Sequence, residues 1–302
     1  MVEDKSLNNY ISNTDLIDQE NLNTYLYKKK SKEDFSNYNL KKLHSLPIYN
    51  GVVNLKFFHN NIKFKMLNIR NDDAVVLKYY WKNYFEPTTL KLWNEINKNN
   101  GIYFDVGSHT GIYTLCSQLY NLKNLTISIE PSYLNFIRLL NNLRLNHLPF
   151  NNCFNVAASN KEGVTKFDNR TNIHYLSQSG KIDPHGKDKI KAVILDNFIF
   201  ENKSLPINCI KIDTEGHEIE VLEGSKKIIQ KHLPDFFIEL NERSADKCIS
   251  FLKECGYCCF FIDEKNNKVN EIKCFNKKML QDEGVNYLAT KKNISDINSL
   301  LN

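Results

Sequence analysis

No stretch of the sequence approaches the roughly 18 apolar residues of a membrane helix, so a helical span is not expected. The start, MVEDKSLNNYISNTD, lacks a basic segment followed by an apolar core, so no secretory signal is read and a cytoplasmic location is expected. Without such a signal, the eight cysteines are expected to be reduced thiols. Cys255 and Cys258 have CxxC spacing, but no second CxxC and no Cys/His pair of zinc-finger spacing accompanies them. Their segment, ECGYCCFFID, reads instead as a strand with buried thiols. A concentrated basic face is also missing. The net charge of +5 over 302 residues suits solubility and falls short of a dedicated nucleic-acid binder. Lys28-Lys29-Lys30 reads as a solvated segment. No internal repeat is found, and the G-x-G-x-x-G of a pyrophosphate-binding turn is absent, which counts against a nicotinamide dehydrogenase.

What the chain does have is apolar material: 41% hydrophobic residues, with 18 Phe and 15 Tyr, enough for a sizeable core. Residues 1–46 are polar and rich in Asn, Lys and Ser, and read as an extension of short helices or partial disorder. Residues 47–302 read as one domain, with a lead-in over 47–100 and the core over 101–302. In the lead-in, IKFKMLNIR (62–70) alternates as a half-buried strand. PTTLKLWNEINKN, from Pro87, has a proline start, a threonine cap and Leu90, Trp93 and Ile96 three apart, and predicts an amphipathic helix.

Strand and helix patterns then alternate. GIYFDVG leads to IYTLCSQLYN, LTISIE to SYLNFIRLLNNLRLN, and a third strand, CFNVAAS, follows. NCIKID leads to EIEVLEGSKKIIQKH, and DFFIEL to SADKCISFLKECG, ending in YCCFFID. This order predicts a doubly wound α/β fold, a parallel sheet with helices on both faces. Between Ser159 and Lys191 a polar stretch reads as a long functional loop.

Such sheets bind ligands beyond the carboxyl ends of their strands. Asp105, Gly107, Ser108 and Gly111 fall at one such end, where glycines let backbone approach a ligand closely. LTISIE ends in Glu130 and Pro131, an acid about 20 residues on, placed to accept two ribose hydroxyls. Glu130-Pro131-Ser132 also reads as strand end and helix start.

The run FDVGSHTGIYT, IEPS, NNLRLN, NVAAS with KEG, VILDNFI and IKIDTEGHEIEVLEGS resembles the successive motifs of FkbM-family methyltransferases, from about Phe64 to Asn241. YFEPTTLKLW, upstream, resembles the aromatic-Glu pair before that family's first helix. The resemblance implies a Rossmann-like class I methyltransferase sheet, S-adenosylmethionine as cofactor and methylation of hydroxyl oxygens. It implies that Asp105, Gly107, Ser108 and Gly111 surround the methionine part of the cofactor, Glu130 the ribose, and Ala157 and Ala158 the adenine. The first 46 residues match nothing in the family.

IKIDTEGHE places Asp213 at a strand end with Glu215, His217 and Glu218 just past it. Thr214 as a cap, with Glu215 and Glu218 at a helix start, explains part of this turn. It leaves Asp213 unexplained, since a buried acid needs a partner. Methyl transfer to a hydroxyl needs a proton acceptor. Asp213 is the first candidate, shared between cofactor and acceptor, and His217 the second, with Glu215 and Glu239 also in reach. An unperturbed carboxylate titrates far below a hydroxyl, whereas imidazole is better placed. Asp213, Glu215 and Glu239 can alternatively hold a divalent cation. His174, Tyr175 and His185 are candidate acceptor contacts in the long loop.

The expected activity is therefore S-adenosylmethionine-dependent O-methylation of a carbohydrate or other small hydroxylated acceptor. Methylation of RNA or protein is the nearest alternative, and the absence of an Asn/Asp-Pro-Pro-aromatic tetrad counts against amino-group chemistry. A non-catalytic scaffold of the same fold is the remaining alternative.

Overall fold

Why does an apolar strand become fully buried in one place and half-exposed in another? The computed structural model answers this for residues 5–169, 176, 180–198, 205–272 and 285–301, with side chains described from residue 16 on. In chain order the elements are α1 (Lys5–Lys30), α2 (Leu40–His44), β1 (Gly51–Lys56), β2 (Lys63–Asn68), α3 (Ala74–Lys82) and α4 (Pro87–Ile96). Then come β3 (Ile102–Val106), α5 (Ile112–Tyr120), β4 (Leu125–Ile129), α6 (Tyr133–Leu145), β5 (Cys153–Phe154) and β6 (Ala157–Ala158). They are followed by β7 (Gly163–Asp168), β8 (Lys181–Ile182), β9 (Asp188–Val193), β10 (Ile207–Ile212), α7 (Glu218–Glu223) and α8 (Lys226–His232). The last are β11 (Asp235–Leu240), α9 (Ala245–Glu254), β12 (Cys258–Asp263), β13 (Lys268–Glu271), β14 (Val285–Thr290) and α10 (Ile294–Leu301).

The main sheet runs β13-β12-β14-β11-β10-β3-β4-β5. All five residues of β3 and all six of β14 are buried, as expected where helices cover both faces. Alternate side chains divide between two cores. Tyr103 and Phe237 join Trp93 of α4, Leu115 of α5, Leu139 of α6 and Leu301 of α10. Phe104, Val106, Phe236 and Ile238 face the other way, onto Val221, Ile228 and Ile249 of α7, α8 and α9. Burial of each such side chain contributes about 1.5–3 kcal/mol. Trp93 meets Tyr103, Tyr113 and Phe237 edge-on, and its ring N–H donates to the Tyr113 carbonyl at 3.2 Å.

Five readings are corrected by these coordinates. The sheet is mixed, because β14 lies antiparallel between β11 and β12, and β13 returns from β12 through a short turn. The third strand breaks after Phe154: Asn155 turns its amide onto the carbonyls of Glu130 and Pro131, at 2.8 and 3.0 Å. Ala157–Ala158 then join a second sheet, β6-β9-β7-β8. That sheet occupies much of the stretch read as a loop; its exposed, lysine-bearing face disguised the strands.

The helix read over EIEVLEGSKKIIQKH divides into α7 and α8 at Gly224, where a Cβ would come within 2.2 Å of the Ser159 carbonyl oxygen. The start of α4 is capped from afar: Glu264 accepts from the backbone N–H groups of Thr88 and Thr89, at 2.8 and 3.2 Å. The threonines are donors to that acid, not the cap itself.

The N-terminal extension holds one long helix, α1, followed by the short α2. Asn21 exchanges two hydrogen bonds with the Asn50 backbone, both 2.7 Å, and Tyr27 packs on Trp81 at 6.0 Å. Cys255 and Cys258 are free thiols. Among the described residues no helix is long and apolar enough to cross a membrane.

Candidate active site

The strand order reverses between β3 and β10: β3 is followed outward by β4 and β5, and β10 by β11 on the other side. Connections leaving on opposite faces open a crevice there. A cavity of about 740 Å³ fills it, within the range that takes a small molecule.

The turn after β3 forms one wall. Gly107 and Ser108 both donate their N–H to the Ile129 carbonyl, at 2.8 and 3.1 Å, locking β3 to β4. Asp213 donates its N–H to the Val106 carbonyl at 2.9 Å, locking β3 to β10. Gly107 has φ +79°, and a Cβ on it would lie 1.7 Å from the Asp213 carbonyl oxygen. Only glycine fits. His109 also takes a left-handed conformation, φ +49°, which aims its N–H at Glu130 Oε2, 2.8 Å away.

Glu130 is 5% exposed, and its Oε1 accepts from the Ser132 N–H at 2.8 Å. Burial pushes its carboxyl up to about 7, against the pull of those N–H groups. Pro131, Ala157 and Ala158 continue this wall. Asp105 and Gly111 stand behind it. The Asp105 carboxylate accepts from the N–H and hydroxyl of Thr114, at 3.0 and 2.6 Å, and so fastens α5 to β3. Burial raises it to about 6. Gly111 starts α5 at φ +95°, tight against Leu139.

The opposite wall holds Asp213, Glu215, His217 and Glu239. The turn carrying the first three is tied by Glu218, whose Oε1 accepts from Gly216 at 2.7 Å and from the N–H and hydroxyl of Thr214 at 3.3 and 3.2 Å. Thr214 is thus a donor to Glu218 rather than a cap. Glu215 is held at φ +55°.

His217 reaches Ser159 Oγ through Nε2 at 2.9 Å and faces Glu220 through Nδ1 at 3.5 Å. Burial lowers its pKa, outweighing Glu220 and Glu218. Glu239 goes the other way: burial, then the Asp213 charge, raise it well above the usual carboxylate range, and it hydrogen-bonds Asp213. Burial thus moves the His217 imidazole down and the Glu239 carboxyl up, toward each other from their unperturbed values.

A family model described as the methyltransferase FkbM domain matches residues 105–259, just over half of the chain. The chain belongs to this family. Among solved structures it is similar to an FkbM methyltransferase from Methylobacillus flagellatus KT, with 15% identity over 72% of this chain and a TM-score of 0.42. The aligned part spans about half, 53%, of that longer chain. It is also similar to a precorrin-6y C5,15-methyltransferase from Geobacter metallireducens GS-15, with 11% identity over 68% of this chain and 88% of that one, TM-score 0.40. An O-methyltransferase from Bacillus cereus, solved with SAH, matches with 11% identity over 67% and 78% of the two chains, TM-score 0.36. No curated protein sequence matches.

In this FkbM chain three further groups join the site. Lys211, 1% exposed, sets its Nζ 3.4 Å from Asp213 Oδ2 and 5.2 Å from the Tyr113 ring centre. Burial alone would lower its pKa, but Asp213, Glu239, Glu86 and Asp105 together raise it, so it stays charged. Glu86, just before Pro87, sits at φ +40° and accepts from the Tyr113 hydroxyl. Glu264 lines the same cavity and is pushed up to about 7, first by burial and then by Glu86. A lysine inside the apolar run NCIKID is the sequence signal for the first. Nothing local marks Glu264, which arrives from the end of β12.

Of the candidate loop contacts, His185 is exposed, its N–H bonded to Asp183 Oδ1 at 2.8 Å, and it is off the cavity wall. His174 and Tyr175 lie outside the described residues. Among the described residues no group of three or more His, Cys, Asp or Glu side chains is arranged to hold a metal, so the cage of Asp213, Glu215 and Glu239 is not assembled.

The raised carboxyls carry a pH signature. With Asp105 at about 6 and Glu130 and Glu264 at about 7, the folded state binds more protons than the unfolded state between about pH 4 and 7. Stability from these groups therefore falls as pH rises through that window. His217, with its lowered pKa, opposes this only below about pH 6.5. The expected result is a higher melting temperature at about pH 6.5 than at about pH 8.5. Calorimetric melts that rise toward alkaline pH would remove these burial shifts.

Proposed function

We propose that the protein is a cytoplasmic S-adenosylmethionine-dependent O-methyltransferase acting on a hydroxyl of a carbohydrate or other small hydroxylated acceptor. The observation carrying this reading is the buried Glu130 beside the Gly107 turn. Each of its oxygens already accepts one backbone N–H and Asn135 donates to it as well, which orients the carboxylate toward the hydroxyls of a vicinal diol. The cavity also fits a sulfonium nucleoside by charge, since Glu86 and Asp213 share its wall. His109 Nε2 is buried without a partner there, a donor or acceptor for a bound molecule. In this reading Gly107, Ser108 and Glu86 hold the methionine part, Glu130 the ribose, and Pro131, Ala157 and Ala158 the adenine side.

The cofactor, when bound, supplies an electrophilic methyl group. The chain supplies position and a proton path. Asp213, steadied by Lys211 and by the Glu239 hydroxyl, orients the acceptor hydroxyl and takes its proton as the oxygen attacks. Burial and the Asp213 charge keep the proton on Glu239, whose hydroxyl donates to Asp213. His217, bonded to Ser159, shapes the wall beside them.

Calorimetry with S-adenosylhomocysteine is expected to show binding to the wild type. In Glu130→Ala it should weaken by about 1.5–3 kcal/mol, the scale of hydrogen bonds to a charged group. Unchanged affinity removes the ribose role. Labelled methyl donor with sugars, nucleotide sugars and cell extract should put label in small hydroxylated products; label in RNA or protein instead would overturn the acceptor class. With the acceptor so found, Asp213→Asn is expected to lose about 100-fold in turnover, the usual scale for a proton acceptor, while its circular dichroism stays that of the wild type. Full activity would remove Asp213 from the mechanism.

A further inference from the structure

All of β14 is buried, and two of its six side chains, Asn286 and Thr290, are neither apolar nor aromatic. Thr290, at one end, donates its hydroxyl to Asp235 Oδ1 at 2.5 Å. Asn286, at the other, is 3% exposed, and its Oδ1 has no hydrogen-bond partner among the described residues. A buried acceptor left in that state costs the fold its desolvation, which an apolar side chain of the same shape would not. Packing alone gives no reason for an amide here.

The sheet fixes where this amide stands. β14 lies beside β11, and Asn286 pairs across the two strands with Glu239. Side chains so paired share one face, with Cβ atoms about 4.5–5.5 Å apart. Glu239 in turn hydrogen-bonds Asp213, just past the end of β10. Asp213, Glu239 and Asn286 therefore form a polar row over three neighbouring strands, and all three line the cavity. Glu130, after β4, lies on the other side of the strand reversal. With the ribose at Glu130, the row runs from Asp213 away from the cofactor.

We propose that Asn286 binds a second hydroxyl of the acceptor, on the carbon next to the one whose hydroxyl meets Asp213, so that the acceptor is a neutral polyol with a free vicinal diol. This rests on the methyl-transfer reading above and narrows its substrate class. An amide offers both an acceptor oxygen and donor hydrogens. A hydroxyl answers both, whereas a carboxylate only accepts and an ammonium only donates. Glu239, which keeps its proton, is likewise a neutral donor and acceptor. Ile262 and Val285 add apolar surface to this end of the wall.

The test is calorimetric titration of the full chain, saturated with S-adenosylhomocysteine, with neutral hexoses and pentoses, each beside its monodeoxy derivatives. At least one sugar is expected to bind, and removing the hydroxyl that Asn286 reads should weaken it about 10-fold. Asn286→Leu should weaken the parent sugar about 10-fold as well, yet leave that deoxy derivative within about threefold of its wild-type affinity. Its S-adenosylhomocysteine affinity should also stay within about threefold. The ligand-free Asn286→Leu protein should melt no lower than the wild type, because a buried unpaired acceptor has been removed. Asn286→Ala repeats the binding comparison with a smaller side chain.

Full sugar affinity in both variants overturns the proposal. So does equal weakening of parent and deoxy sugars, or a lowered melting temperature in Asn286→Leu, which would mark the amide as structural. A protein that binds S-adenosylhomocysteine and none of the neutral sugars overturns it too. A protein that does not bind S-adenosylhomocysteine fails the methyl-transfer reading itself, and this inference with it.

Discussion

Lys211→Met is expected to destabilise the protein by about 3–5 kcal/mol at neutral pH, the cost of removing one partner from a buried charge pair. Methionine keeps nearly the length and apolar stem of lysine, so packing against Tyr113 changes little and the lost charge dominates. Without it, Asp213, Glu239, Glu86 and Asp105 lose the ammonium on which all four of their charges act. The sign of the pH dependence follows. The lysine pKa is raised in the fold, so its stabilisation is complete below its unfolded value near 10.4 and is lost only as pH climbs beyond it. The variant's acids can relieve their repulsion by binding protons, so its deficit should shrink between about pH 8 and pH 5. Urea unfolding at the two pH values measures this. An equal deficit at both would mean that the lysine acts by shape.

Gly107→Ala is expected to cost about 2–6 kcal/mol and to abolish S-adenosylhomocysteine binding. About 1–3 kcal/mol comes from forcing a side chain into a left-handed backbone. A similar amount comes from overpacking, because the new methyl would meet the Asp213 carbonyl oxygen at 1.7 Å and its carbon at 2.8 Å. Both obstacles are backbone and cannot rotate aside. The strand ends must part, breaking the Asp213 N–H bond to Val106 and opening the cavity floor. Gly163→Ala is the control: its φ is +135°, yet nothing lies within 4 Å of the added carbon. Thermal melts of the two variants separate the contact from the conformational cost, and equal losses would show that crowding at Gly107 is immaterial.

The acids at the strand ends were legible because a polar residue closing an apolar run has few explanations. Asp213 and Glu239 were found that way, and so was Asp105, although its carboxylate is spent on Thr114 rather than on the cavity. Glu264 was not found, since nothing in its own segment marks it and only the fold brings it to α4. Lys211 passed unnoticed because a single lysine in a strand says nothing about the charges around it. The mixed strand order was missed for a similar reason: VNYLAT shows its apolar run but not its partners, and pairing direction is set by the path of the whole chain.

By itself, the sequence determined the alternation of strand and helix, the glycine turn after β3 and the family, because local backbone preference and hydrophobic period act over a few residues. Tertiary structure alone decided which charges share one cavity and in what protonation state. Glu86, Lys211, Glu239 and Glu264 come from four separate elements, and the burial and facing charges that move the titrations of Lys211, Glu239 and Glu264 exist only when those elements close over the same space.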